Sequence, residues 1–339
     1  MTISFAATRL APSPTGALHL GHARTFLITW WLARQAGAKI YMRMDDIDAG
    51  RAKPEAVAQA YEDLRWLGMD WDDYSTRANA VKEVVQSQRL AVYAEAIERL
   101  RIADLIYRCT CRRADILAAV AGSASAPHEG VGGEKVVRYP GTCAAHSHWR
   151  DRSLKEDLRS AEEAMRKDFC WRLRVPDGMV RFEDLIAGQQ EFDVAAETGD
   201  FPLTRFDGTP AYQLACVVDD HSMGIDLVIR GDDLLASTPR QILVYQALHL
   251  KFVPRFAHVP LVVGADGKRL AKRHGESRIA QVREAGGSAA RVVGWVAWRS
   301  GQVEKPEEMS AREMVERFDL GRLPRERVVL EREDLGWLG

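Results

Sequence analysis

Apolar and polar residues follow two different periods along the first part of the chain. Residues 5–10 and 39–44 are short, mostly apolar segments that predict strands. Between them, from Gly21 to Gln35, apolar residues recur at spacings of three and four, which predicts an amphipathic helix. A strand, a helix and a second strand in this order predict a parallel strand pair joined by a right-handed crossover.

The remaining pattern predicts an α/β protein with an interruption in its middle. Further helices are predicted over residues 54–68, 78–105 and 238–250, and the tail from 276 is helix-rich and charged. Strands are predicted within CWRLRV, MVRFEDLI and QQEFDV, and both YQLACVVDD and DLVIRG have the composition of buried strands. The Gly/Ser-rich stretch 117–137 is expected to be a mobile loop.

Four regions follow from this order of elements. Residues 1–105 are the first half of the expected core, and residues 106–195 are an insertion subdomain. Residues 196–275 are the second half of the core, and residues 276–339 are a short helical C-terminal region.

Composition narrows the class of protein. The 339 residues are 46% hydrophobic and 28% charged, with a net charge of −1, which is typical of a globular protein. The sequence has neither an apolar run of membrane-spanning length nor a secretory signal, so we expect a cytoplasmic protein with no membrane partner. In a reducing compartment, five cysteines indicate metal binding or core packing rather than a disulfide framework.

The segment APSPTGALHLGH, residues 11–22, lies where the first strand gives way to the first helix. The N–H groups at a helix N-terminus attract anions, and two prolines and Gly16 stiffen and turn the approach to this one. His19 and His22 lie three residues apart, so both can point at one phosphate chain. Taken alone, an H-x-x-H pair indicates ordinary helix-start residues or a metal site at least as well, and the sequence has no standard glycine-rich phosphate loop.

The surrounding motifs decide between these alternatives. The run P-S-P-T-G-x-L-H-L-G-H closely resembles the "HIGH" signature of class I aminoacyl-tRNA synthetases, in the form of the glutamyl and glutaminyl members. RMDDID (43–48), DGTPAYQLACVVDD (207–220) and DLVIRGDDLLASTPRQILVYQAL (226–248) resemble further elements of that family, in the same order. PRFAHVPLVVGADGKRLAKRHG (254–275) resembles the stretch that carries its "KMSKS" loop.

This resemblance implies a Rossmann-like catalytic core and an ATP-dependent activation of glutamate, with Mg²⁺ accompanying the ATP. It assigns catalysis to His19, His22 and Lys272. Because Lys268, Arg269, Lys272 and Arg273 form the tightest basic cluster, the alternative for that stretch is a solvated loop. The ATP-binding residues implied are Pro12, Gly21, His22, Arg269 and Lys272.

The resemblance also implies a glutamate pocket. Arginine suits a carboxylate because its planar guanidinium binds both oxygens, and Arg9 and Arg230 stand at the matching positions. Asp45 and Tyr212 match the positions that bind the ammonium group, and Ser13 lies beside them. Two departures stand out: Asp45 replaces the usual glutamate, and Ala271 replaces the loop serine, while Arg269 keeps the charge of the first loop lysine.

Three cysteines and a tyrosine form a second pattern. Cys109 and Cys111 are two apart, and Cys143 follows Tyr139 by four residues. On spacing alone, buried core cysteines are the simpler interpretation. The pattern C-x-C…Y-x-x-x-C resembles the site of one structural Zn²⁺ in the truncated members of the family, the glutamyl-Q tRNA(Asp) synthetases, whereas Cys170 and Cys216 are predicted to be core residues.

The same truncated members match the length after the loop, where 66 residues follow Arg273 (339 − 273) and no anticodon-binding domain is expected. The resemblance therefore implies a ligase-type enzyme that acts as a monomer on ATP, L-glutamate and tRNA(Asp) carrying queuosine. The alternatives are a shortened glutamyl-tRNA synthetase that charges the tRNA 3′ end, and a non-catalytic RNA-binding paralogue.

Overall fold

The computed structural model of the chain describes residues 3–47, 53–75, 80–81, 83–121, 128–129, 135–144, 169–268, 270 and 277–338. Helices in this part of the chain are α1 (Leu20–Gln35), α2 (Pro54–Trp66), α3 (Leu90–Ile102), α4 (Arg113–Ala121), α5 (Val194–Glu197), α6 (Tyr212–Ser222), α7 (Thr238–Ala247), α8 (Ile279–Glu284), α9 (Ala289–Arg299), α10 (Ala311–Arg317) and α11 (Arg332–Leu338). Short 3₁₀ turns cover Gln86–Gln88, Asp232–Ser237 and Leu320–Arg322.

Strands in the same ranges are β1 (Ala7–Leu10), β2 (Lys39–Met44), β3 (Tyr74–Ser75), β4 (Ala80–Val81), β5 (Glu83–Val85), β6 (Ile106–Cys109), β7 (His128–Glu129), β8 (Lys135–Val136), β9 (Cys170–Leu173), β10 (Val180–Asp184), β11 (Gly188–Phe192), β12 (Leu227–Gly231), β13 (Arg255–Val259), β14 (Val262–Val263) and β15 (Val328–Val329). They include a three-stranded sheet in the order β1-β2-β5 and a four-stranded sheet in the order β11-β10-β13-β12.

The edges of these two sheets lie side by side at β1 and β12. The hydroxyl of Thr8 donates to the carbonyl of Leu227 at 2.8 Å, and the amide of Asp226 donates to the carbonyl of Ala7 at 3.2 Å. The chain winds outward from β1 through β2 to β5, passes through the insertion and through β10 and β11 at the far side of the second sheet, and only then reaches β12. Ligands of doubly wound sheets bind where the strand order reverses, so the carboxyl ends of β1 and β12 are the expected place for a site.

Helix α1 connects the sheet to the C-terminal region. Ten of its 16 residues are buried, among them Trp30 and Trp31, because the sheet covers one side and helices α9 and α10 pack on another. The indole N–H of Trp31 donates to the carbonyl of Ala311 in α10 at 2.9 Å. The C-terminal helices are therefore part of the support of α1.

Two predicted elements are wrong. The segment YQLACVVDD belongs to helix α6, in which every residue from Gln213 to Asp220 is buried. A helix buried all round has no polar face, so its periodicity cannot be told from that of a buried strand. The predicted helix 78–105 begins only at Leu90, because β4, β5 and a 3₁₀ turn precede it.

The insertion contains both regular structure and residues outside the described ranges. Strands β6 and β9 pair antiparallel, with Cys109 opposite Cys170. Helix α4 extends into the stretch 117–137 that was predicted to be a loop, and β7 and β8 pair within it, while residues 122–127 and 130–134 lie outside the described ranges. None of the helices described is long and apolar enough to span a bilayer.

Candidate active site

A cleft of about 850 Å³ opens at the carboxyl ends of β1 and β12. It contains every predicted ATP- or glutamate-binding residue that the structure describes: Arg9, Pro12, Ser13, His19, Gly21, His22, Asp45, Tyr212 and Arg230. Arg269 and Lys272 lie outside the described residues, as does Ala271. Leu270, between them, lines the same cleft. The described residues predicted to bind ATP and those predicted to bind glutamate thus line one continuous space.

The histidine pair lies at the N-terminus of α1, as a stacked pair with ring centroids 3.7 Å apart. His19 is the N-cap, and its Nδ1 accepts the amide of Gly21 at 3.1 Å; Nδ1 of His22 accepts the amide of His19 at 3.3 Å. Because a nitrogen that accepts these bonds carries no proton, each neutral imidazole carries its proton on Nε2. Both rings are therefore fixed as Nε2 donors beside the positive end of the helix.

Gly21 makes this close arrangement possible. A Cβ atom at Gly21 would lie 3.0 Å from Cε1 of His19 and 3.1 Å from its Nδ1. These distances are shorter than an ordinary contact between non-bonded heavy atoms, about 3.5 Å. Any larger residue would push the ring of His19 from its position against His22.

An ion network forms one wall of the cleft. Nε of Arg9 donates to Asp220 at 3.2 Å, and its Nη1 donates to the carbonyl of Ile229 at 3.1 Å. Arg43 is buried beneath them, and its Nη1 donates to the same Asp220 carboxylate oxygen at 2.5 Å. Arg43 also holds both carboxylate oxygens of Asp45, at 2.6 and 3.2 Å. The shorter Asp45 side chain is thus fixed on the cleft wall by a bidentate ion pair.

Burial and charge oppose each other in this network. Burial lowers the pKa of Arg43, but the carboxylates of Asp45 and Asp220 outweigh it, so its pKa lies well above the usual value. Burial raises the pKa of Asp45, although Arg43 acts against that rise. The Cys216 thiol lies 3.6 Å from Nη2 of Arg43 and is buried, as predicted for a core cysteine.

Arg230 also lines the cleft, with only 5% of its surface exposed. Its Nη1 donates to Gln241 at 2.9 Å and to the hydroxyl of Tyr212 at 3.4 Å. Its Nη2 donates to Thr238 at 2.7 Å and to the carbonyl of Leu234 at 3.3 Å. Burial raises the pKa of Tyr212, so its hydroxyl stays protonated and can serve as a donor.

Sequence analysis missed the residues behind Arg230. Its fifth N–H, on Nε, donates to Nε2 of His258 at 3.0 Å, and Nδ1 of His258 lies 2.6 Å from Asp184. Burial lowers the pKa of His258 to about 4, so the ring is neutral at physiological pH. His258 lies within the quoted motif 254–275, but only the pairing of β12 with β13 shows that it lies opposite Arg230.

The predicted metal ligands come together at the end of β6. The sulfur atoms of Cys109, Cys111 and Cys143 all lie within 4.8 Å of one another, and those of Cys111 and Cys143 are 3.5 Å apart. The hydroxyl oxygen of Tyr139 is 3.3 Å from the sulfur of Cys109 and 3.8 Å from that of Cys111. Zinc–sulfur bonds of about 2.3 Å place tetrahedral ligands roughly 3.8 Å apart, so the four donors fit one ion.

Cys170 borders this cluster and is buried, as predicted for a core cysteine. A hydrogen bond with the Cys170 thiol is the main reason why the pKa of Cys109 is lowered. A second cavity of about 590 Å³ adjoins the cluster and is bordered by Arg113, Arg205 and Phe206. It reaches Ala211, the residue before Tyr212.

The family follows from this fold and cleft together with the sequence. Residues 6–337 match the family model "tRNA synthetases class I (E and Q), catalytic domain". The chain that forms this cleft is therefore a class I aminoacyl-tRNA synthetase. A glutamate tRNA ligase from Elizabethkingia meningosepticum, solved in complex with its amino acid, has a TM-score of 0.78 and 27% identity. That match covers 98% of this chain and 68% of the other. The α/β class I fold predicted from the motifs is confirmed.

Relatives of known name define the family more narrowly. The glutamyl-Q tRNA(Asp) synthetase of Symbiobacterium thermophilum is 46% identical over 330 residues, which cover 97% of each chain. The glutamate–tRNA ligase of Geobacter sulfurreducens is 38% identical over 97% of this chain and 64% of its own length. The chain therefore belongs to the class I glutamate and glutamine tRNA synthetases and, among them, to the glutamyl-Q tRNA(Asp) synthetases. The prediction of a ligase-type enzyme is confirmed.

Proposed function

We propose that the protein activates glutamate with ATP and transfers the glutamyl group to the queuosine base at the wobble position of tRNA(Asp). The observation that carries this proposal is that two sets of side chains come together in one cleft. A stacked pair of Nε2 donors lies at a helix N-terminus, and the buried guanidinium groups of Arg9 and Arg230 line the same cleft. A reaction on ATP and tRNA also suits a cytoplasmic enzyme.

In the first step, an oxygen of the glutamate α-carboxylate attacks the α-phosphorus of ATP, and pyrophosphate leaves. His19 and His22 donate from Nε2 to the phosphate oxygens, where negative charge increases in the transition state. Pro12 and Gly21 shape the approach to these phosphates. Arg269 and Lys272, which flank Leu270 in the sequence, supply cations to the phosphates, and Mg²⁺ enters with the ATP.

In the same pocket, Arg230 and Arg9 recognise the glutamate side chain. The bonds from Arg230 to Tyr212 and to the carbonyl of Leu234 are its longest, and both partners line the cleft. A substrate carboxylate can replace these two partners, with one oxygen on each terminal nitrogen of Arg230. Asp45, the hydroxyl of Tyr212 and Ser13 bind the ammonium group.

In the second step, a hydroxyl of the cyclopentene diol of queuosine attacks the glutamyl carbonyl, and AMP leaves. This diol resembles the ribose diol of a tRNA terminus, so one catalytic site serves either acceptor once the RNA docks differently. The insertion guides the RNA, and the arginines and Phe206 of the second cavity suit phosphates and stacked bases.

Zinc would hold the insertion together through Cys109, Cys111, Tyr139 and Cys143. The donor set supports this role because the three sulfurs lie within 4.8 Å of one another and the tyrosine oxygen lies 3.3 and 3.8 Å from two of them, close to the spacing of ligands around one zinc ion. Zinc would supply folding free energy there rather than chemistry, because four protein ligands leave no open position.

A shortened glutamyl-tRNA synthetase is the second candidate, supported by the 38% identity to the Geobacter sulfurreducens ligase. Glutamyl transfer assays with ATP, Mg²⁺ and labelled glutamate distinguish the two, using tRNA(Asp) with queuosine, tRNA(Asp) without it, and tRNA(Glu). We expect label only on queuosine-bearing tRNA(Asp). Label on tRNA(Glu) alone would favour the second candidate, and no glutamyl-adenylate at all would favour a binding paralogue.

A separate assay of the first step tests the histidine pair. We expect the His19→Ala/His22→Ala double variant to lose glutamate-dependent ATP–pyrophosphate exchange by at least about 100-fold, since two donors to the transition state are removed. Unchanged exchange in a folded double variant would overturn the assignment of both residues.

A further inference from the structure

Asp184, His258 and Arg230 form a buried row of hydrogen-bonded side chains that ends at the glutamate pocket. In parallel strands β12 and β13, Arg230 lies directly opposite His258, and Asp184 of β10 is paired with Phe256. Asp184, His258 and Arg230 expose 2%, 1% and 5% of their surfaces, and the first two do not line the cleft. These three hydrogen-bonded residues can therefore affect a ligand in the cleft only through Arg230.

Hydrogen bonding fixes which nitrogen of His258 carries the ring proton. Nε of Arg230 can only donate, so Nε2 of His258 must accept, and the ring proton must be on Nδ1, facing Asp184. One oxygen of Asp184 is held in turn by the amides of Ile186 and Ala187, at 2.9 and 2.8 Å. The ring is thus held in one tautomer and one orientation.

Arg230 makes shorter hydrogen bonds on the side away from the cleft than on the side that faces it. His258, Gln241 and Thr238 accept its three shortest bonds from behind, at 2.7 to 3.0 Å. The partners on the cleft side are held at 3.3 and 3.4 Å. A carboxylate that replaces the cleft partners would meet a guanidinium whose position the rear contacts have already set.

We propose that His258, oriented by Asp184, is a positioning residue that fixes Arg230 for a carboxylate side chain and so selects glutamate over glutamine. A fixed pair of N–H donors matches two acceptor oxygens, whereas the amide of glutamine presents one oxygen and one further donor. If the guanidinium could turn, it would meet the amide with one N–H group, and discrimination would fall. This inference rests on the proposed function, because it takes the pocket to bind glutamate.

Asp184→Asn tests the tautomer with little change of shape. The asparagine oxygen can keep the backbone amides, but its NH₂ then faces Nδ1 of His258 and forces the ring proton onto Nε2, against the donor of Arg230. We expect the KM for glutamate to rise about 10- to 100-fold, as for loss of a hydrogen bond to a charged group. The KM for ATP should stay within about twofold, and the preference for glutamate over glutamine should fall.

Two variants of His258 separate positioning from simple stability. His258→Gln keeps an acceptor for Nε of Arg230 and should recover much of the preference for glutamate, whereas His258→Phe has none and should not. His221→Gln, a histidine change on α6 outside the cleft lining, is the matched control and should leave the KM for glutamate unchanged. All are measured by pyrophosphate exchange, with thermal unfolding alongside.

The outcomes separate this inference from the proposed function. Absence of glutamate-dependent exchange in the unmodified protein would overturn the proposed function. Normal exchange there, together with an unchanged glutamate-to-glutamine ratio in both Asp184→Asn and His258→Phe, would overturn the role of His258 alone. An equal loss of the preference for glutamate in His258→Phe and His258→Gln would likewise show that His258 has only a structural role.

Discussion

Replacing Gly21 with alanine should lower activity with little change in stability. The new Cβ would lie 3.0 Å from the ring of His19, and an ordinary contact needs about 3.5 Å, so the ring must shift by about 0.5 Å. His22 stacks on that ring and so resists the movement. The Nε2 donor of His19 therefore moves relative to the phosphate it is proposed to bind.

The size of the effect follows from that displacement. A misplacement of about 1 Å in a catalytic group can cost about 100-fold in rate, so half of it should cost about 10-fold, or about 1.4 kcal/mol of transition-state stabilisation. In a helix, alanine is also more favourable than glycine by about 0.5–1 kcal/mol. This gain offsets the strain of the new contact, so the free energy of unfolding should change by less than about 1 kcal/mol.

Gly336→Ala is the matched control, because Gly336 lies in helix α11 and a Cβ there meets no atom within 4 Å. ATP–pyrophosphate exchange gives the rate, and urea unfolding gives the stability. If the exchange rates of the two variants were equal, the position of the His19 ring would not limit the first step, and the reasoning would be wrong.

Three further predictions concern the metal and two buried carboxylates. Protein purified without chelator should contain about one zinc per chain, and the Cys109→Ser/Cys111→Ser variant should contain none by elemental analysis. Burial raises the pKa of Asp63 to about 6, so stability contributed by its neutral form, on the order of 3 kcal/mol, is present below pH 3.8 and lost as pH rises through 6. Asp63→Asn should therefore gain stability over the unmodified protein at pH 7 but not at pH 4, and an equal gain at both would contradict this. Asp219 is fully buried and accepts from Arg89 at 2.7 Å and from two other side chains, so Asp219→Ala should cost about 3–5 kcal/mol in urea unfolding; a loss under 1 kcal/mol would contradict this.

Local motifs were sufficient to predict which residues line the cleft. The segment 11–22 follows β1, and RMDDID covers the end of β2 in the same parallel sheet, so their side chains meet at its carboxyl edge without any long-range information. Arg230 follows the same rule on the neighbouring sheet. The chemical roles of these residues remain predictions, because position alone does not assign them.

Contacts between distant segments could not be predicted in this way. The contact of His258 with Arg230 depends on the register between β12 and β13, and that of Asp184 depends on a single paired residue in β10. Arg43 was visible in its motif, but its link to Asp220 arises only when β2 packs beside helix α6. Helix α6 itself was predicted as a strand because burial on all sides removes its polar face.

Arg24 ties the first turns of α1 to two remote segments. Its guanidinium donates to the carbonyl of Pro260 at 2.6 Å and to Ser300, at the end of α9, at 3.0 Å. Burial lowers its pKa to about 10, yet that still leaves the side chain cationic. A substitution near Ser300 would therefore disturb both helix α1, which begins beside His19, and the segment around Pro260 that precedes Lys272. Screens for impaired adenylation should recover changes in the C-terminal helices that touch no substrate.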